Sequence, residues 1–108
     1  MKEIKAIVRP SKLHKIRDAF RQLPGFPGMN VCHVEGCSAH AGAEHHDTLK
    51  EELTDFTSKL RIEIVAPDEL LADILAIIHR NAHTGTTGDG VAWVTDVQEF
   101  RRLCTDPV

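Results

Sequence analysis

The chain has 108 residues, 42% of them hydrophobic, and a formal net charge of −3 with histidine neutral. Its 13 basic residues are spread along the chain rather than clustered, which argues against a nucleic-acid partner, and no apolar run approaches the roughly 20 residues that span a bilayer. The opening MKEIKAIVRP lacks the apolar core of a signal peptide, and three cysteines without a framework spacing fit a reducing cytoplasm, the expected location.

Alternation in IKAIVRP puts Ile4, Ala6 and Val8 on one face and Lys5, Ile7 and Arg9 on the other, which predicts a strand over about 2–9. SKLHKIRDAFRQL places Leu13, Ile16, Phe20 and Leu23 on one helical stripe, with Ser11 available as N-cap. LPGFPG breaks that helix, and MNVCHVEG reads as a second strand. LRIEIVAP is the clearest strand, with Leu60, Ile62 and Ile64 alternating against Arg61, Glu63 and Val65. PDELLADILAIIHRNA then carries Leu70, Leu71, Ile74, Leu75, Ile78 and Ala82 at helical spacing, with Asp68 as the expected N-cap. VAWVTDV reads as the fourth strand and QEFRRL as a short turn of helix.

The order is β-α-β-β-α-β, and IVRPSKL (7–13) and IVAPDEL (64–70) repeat one form: strand end, proline, capping residue, leucine. Two such halves predict an α+β, ferredoxin-like βαββαβ sandwich forming one domain over 1–108, with helices on one sheet face. Apolar residues on the other face of the third strand need a partner surface, and a homo-oligomer supplies one.

Three features stand outside this frame. The stretch 37–58, CSAHAGAEHHDTLKEELTDFTS, is far longer than a hairpin needs, polar, and without a periodic apolar stripe. Within 32–46 lie Cys32, His33, Cys37, His40, His45 and His46, soft-metal ligand types that make a copper or zinc site one reading. Their spacing matches no standard zinc finger, and the competing reading is a solvated loop beside a buried Cys32. The third feature is HRNAHTGTTGDGVAWV (79–94). Its glycines permit a concave nest whose amides face an anion, while the plainer reading is a helix C-cap at Gly85 followed by a tight turn. No lysine or arginine follows the last glycine; Val91 stands there. His79 and His83, one helical turn apart, suit the negative end of a helix dipole as well as they suit a chelated ion. No nucleophile–base motif is visible, so no enzymatic activity is expected.

Four stretches together resemble the PII signal-transduction family: MKEIKAIVRPSKL, GMNVCHVEG, DFTSKLRIEIVAPDEL and AHTGTTGDG. The resemblance runs from residue 1 to about 105. It implies a ferredoxin-like subunit in a trimer with sheets facing inward, adenine-nucleotide sites between subunits, and a long T-loop, here about 38–58, that docks on target proteins. Ile7, Gly36, Lys59, Glu63, Val65, Gly88, Asp89, Gly90 and Arg102 match positions that line the family's nucleotide site. Val91 replaces a phosphate-binding lysine, Cys104 replaces an arginine, and Ser38-Ala39-His40 replaces the glycine, arginine and glutamine that hold phosphates and Mg-linked 2-oxoglutarate. Glu52 stands where some members carry a uridylylated tyrosine. Each charge-assisted phosphate contact is worth roughly 1.5–3 kcal/mol, so the expected ligand is AMP or ADP rather than ATP, without 2-oxoglutarate. The expected role is regulation of a partner protein, a membrane transporter being the class favoured; the Cys/His set supports heavy-metal homeostasis as the alternative.

Overall fold

The computed structural model describes residues 1–37 and 56–107. Strands β1 (Lys2–Val8), β2 (Asn30–Gly36), β3 (Thr57–Ala66) and β4 (Gly90–Asp96) form one antiparallel sheet in the order β2-β3-β1-β4. Helices α1 (Leu13–Arg21) and α2 (Leu71–Ala82) follow β1 and β3. The ferredoxin-like arrangement expected from the order of elements is the one observed.

Period-two alternation decides which sheet face the helices cover. Ile4, Ala6 and Val8 of β1 lie beside Ile64, Ile62 and Leu60 of β3, and all six are buried. Ile16 and Phe20 of α1, with Ile74, Ile77, Ile78 and Ala82 of α2, close over them. Phe20 also stacks on Phe26 from the following turn, with ring centroids 4.3 Å apart.

The opposite face carries Glu3, Lys5, Ile7, Lys59, Arg61, Glu63 and Val65, joined across the ladder by Val91 and Trp93 of β4. Val91 is 62% and Trp93 41% exposed, so apolar surface remains open beside charged groups. A purely apolar bare face is therefore not what the chain presents.

Both helices begin differently from expectation. A short 3₁₀ turn, Pro10–Lys12 or Asp68–Leu70, precedes each, and neither Ser11 nor Asp68 caps a helix through its side chain. Asp68 instead lies 3.1 Å from the Met1 ammonium. β3 starts at Thr57, earlier than the apolar alternation suggests, because Thr57 and Ser58 pair with Gly36 and Glu35. The predicted helix in QEFRRL is absent; those residues run without regular structure into a turn.

Candidate functional site

A cleft of about 870 Å³ opens where the end of β1, the end of β2, the start of β3 and the glycine loop meet. Ile7, Arg9, Ser11, Gly36, Cys37, Lys59, Gly88, Gly90 and Val91 are among its walls. A second, smaller cavity of about 370 Å³ lies behind the loop, between α2 and the β1–β4 pair, with Asp89 on its wall.

The loop is shaped by backbone geometry that glycine alone tolerates. Gly90 has φ +112°, and a Cβ there would sit 1.8 Å from the Ile7 carbonyl oxygen. The last glycine of GDG is thus required by close approach of β4 to β1 as well as by its dihedral. Gly85 is not a helix cap: α2 ends at Ala82 and its C-cap is His83, which is extended and donates its N–H to the His79 carbonyl.

Asp89 organises the loop from within. Its Oδ2 accepts the N–H of Thr84 at 2.7 Å and of Gly85 at 2.8 Å, and its Oδ1 accepts the Thr84 hydroxyl at 2.5 Å. The Thr84 hydroxyl foremost, then the Thr84 and Gly85 amides and the Arg9 guanidinium, hold this carboxyl well below the usual carboxylate range. The expectation of a nest open to an external anion is corrected accordingly: the first amides of the loop already bind the loop's own carboxylate. Among the described residues, the N–H groups of Thr87 and Gly88 have no acceptor.

Two cations reach the loop from the body of the fold. Lys59 donates to the Gly88 carbonyl at 2.9 Å. Arg9 donates to Asp89 Oδ1 at 2.5 Å, to the hydroxyls of Thr84 and Thr86 at 3.3 and 3.2 Å, and to the Thr87 carbonyl at 3.0 Å. A loop whose following residue is Val91 is therefore not without positive charge. Arg9 is the residue that sequence reasoning missed; it could have been found only as an arginine at a strand end next to Pro10.

The predicted nucleotide-site residues fall into two sets. Ile7, Gly36, Lys59, Gly88 and Gly90 line the large cleft, and Asp89 stands directly behind it. Glu63 and Val65 lie farther along β3, opposite Lys5 and Glu3, and Arg102 sits over the Phe100 ring at 5.5 Å. These three line neither cavity in a single chain.

A profile of the family Nitrogen regulatory protein P-II matches residues 1–107. The chain belongs to the P-II family. It is 38% identical to Nitrogen regulatory protein P-II 1 of Escherichia coli (strain K12) over 105 residues, 97% of this chain and 93% of that protein. Nitrogen regulatory protein P-II of Azospirillum brasilense is 35% identical and that of Bradyrhizobium diazoefficiens 34% identical, each over the same shares.

The metal reading gains no support within this P-II fold. His40, His45 and His46, like residues 38–55 of the predicted T-loop, lie outside the described residues. Cys32 and His33 are neighbours on β2 and therefore point to opposite sheet faces, so one chain cannot offer both to one ion. The Cys32 thiol faces Glu63 Oε1 at 3.5 Å. Among the described residues no group of three His, Cys, Asp or Glu side chains is placed to hold a metal ion. Among them, too, no helix is long and apolar enough to cross a membrane.

Proposed function

We propose that this P-II family member is a non-enzymatic signalling protein. It binds an adenine nucleotide in the cleft walled by Ile7, Gly36, Lys59, Gly88 and Gly90, AMP or ADP in preference to ATP. It regulates a partner protein through residues 38–58, and a membrane transporter is the partner class this reading favours.

The observation that carries the ligand preference is the charge balance at the loop. Of the two cations lining the cleft, Arg9 is compensated by Asp89, while Lys59 donates to the neutral Gly88 carbonyl and meets no carboxylate among the described residues. One uncompensated cation suits a short phosphate chain better than a triphosphate. Glu63, Val65 and Arg102 join the same site if copies of the chain assemble around the open sheet face as a homotrimer, each cleft being completed by its neighbour.

Calorimetry with AMP, ADP and ATP tests the reading. ADP or AMP should bind more tightly than ATP, and 2-oxoglutarate should add nothing. Restoring a cation by Val91→Lys should strengthen ATP binding by roughly 1–3 kcal/mol. Tight ATP binding in the unmodified protein, unmoved by that substitution, would show that charge does not set the preference.

A further inference from the structure

Arg9 makes contacts of a kind that neither a surface arginine nor a ligand-binding arginine needs. Its four hydrogen-bond partners among the described residues all lie within residues 84–89, some 75–80 positions away in the chain. The side chain is 28% exposed and that of Asp89 18%, so the pair is partly shielded from water. The backbone is fixed too: Arg9 has φ −65° and ψ 139°, its carbonyl accepts the Lys12 N–H, and Pro10 follows. A planar guanidinium held at this angle spans the hydroxyl, carbonyl and carboxylate acceptors of a loop in a way a single ammonium cannot.

We propose that Arg9 is a positioning residue of the cleft: it clamps residues 84–89 through Asp89, and so aims the Thr87 and Gly88 amides without itself binding the ligand. The Arg9 charge is spent on Asp89, and the space beside Gly88 is filled by its Nη2, which lies 3.0 Å from where a Cβ would stand. Removal of Arg9 has two consequences. Thr84, Thr86 and Thr87 lose the bonds that Arg9 donates to them, and Asp89 becomes an uncompensated anion next to the place where phosphates are expected.

The binding readout rests on the nucleotide reading above; a second readout does not. In the nucleotide-free protein, Arg9→Met should speed hydrogen exchange at the Thr84 and Gly85 amides by about tenfold, as their acceptor loses its anchor. The Ile77 and Ile78 amides in α2 should stay protected, showing that the fold holds. In calorimetry, Arg9→Met should weaken ADP binding by about tenfold, and adding Asp89→Asn should recover at least about threefold of it, because the unpaired anion is gone. A loss of affinity undiminished by Asp89→Asn would make Arg9 a direct ligand and overturn the proposal. Unchanged exchange at Thr84 and Gly85 would also overturn it. Absence of any nucleotide binding by the unmodified protein would sink the nucleotide reading alone, with the exchange measurement still deciding the clamp.

Discussion

The two strand-to-helix turns of the fold look like copies and are not superposable residue for residue. IVRPSKL and IVAPDEL align proline on proline. The structure aligns them one residue apart. The 3₁₀ turn begins at Pro10 in the first and at Asp68 in the second, and the bond from Lys12 N to Arg9 O corresponds to that from Leu70 N to Pro67 O. Arg9 is thus the counterpart of Pro67, and Val8, not Arg9, is the counterpart of Ala66. A slip of one residue on a strand exchanges its faces. It takes position 9 out of the core and leaves an arginine free to reach the glycine loop, whereas position 66 is fully buried. The first turn serves the site and the second serves the core.

Three substitutions and one titration break or sharpen this comparison. The largest effect is expected at Ala66. The sequence match would allow Ala66→Arg, but the structural match places that charge in the core without a partner. A loss of roughly 3–5 kcal/mol in urea unfolding, or failure to fold, should result. Next comes Gly90, which lies opposite Val8 on β4. Gly90→Ala drives a methyl into the Ile7 carbonyl at a positive φ and should cost about 2–4 kcal/mol, measured the same way. A loss near zero would mean that β4 can move away from β1. Pro67→Arg, the substitution that the structural match permits, should cost about 1 kcal/mol or less, since Arg9 already adopts nearly the same backbone angles. A large loss there would undo the equivalence of the two turns.

The smallest and most local test is the titration of Asp89. Its folded pKa lies well below the ordinary range of an aspartate carboxyl. The stability it contributes is therefore fully present above the unfolded pKa and fades only as pH falls through the lower folded one. Carbon-detected NMR of the Asp89 carboxyl should show its midpoint below that of an unstructured aspartate. An ordinary midpoint would mean that the Thr84, Gly85 and Arg9 contacts are not kept in solution.

Much of the fold was legible because it is written in local periodicity. The alternation of Ile4, Ala6 and Val8, and the helical spacing of Ile74 and Ile78, mark core positions directly. The caps were misread because Ser11 and Asp68 enter through 3₁₀ turns, where their side chains have no helical amide to accept. QEFRRL was misread because its helical pattern finds no surface to bury: Leu103 is 96% exposed. The site was legible as a glycine loop beside Lys59 but not in its wiring. The Thr84 and Gly85 amides face Asp89, and that carboxylate is bound by Arg9, a residue 80 positions away in the chain that no local pattern connects to the loop. The dense Cys/His count concealed that adjacent residues on β2 diverge.

Trp93 has a practical consequence. It is the only tryptophan in a chain without tyrosine, and it sits on the open sheet face opposite Lys5. Its intrinsic emission therefore reports on one patch of surface alone. If copies pack against that face, the ring leaves water, and the spectrum should move to the blue and return toward the red as the protein is diluted. Trp93 is thus a built-in, label-free gauge of whether that face is covered.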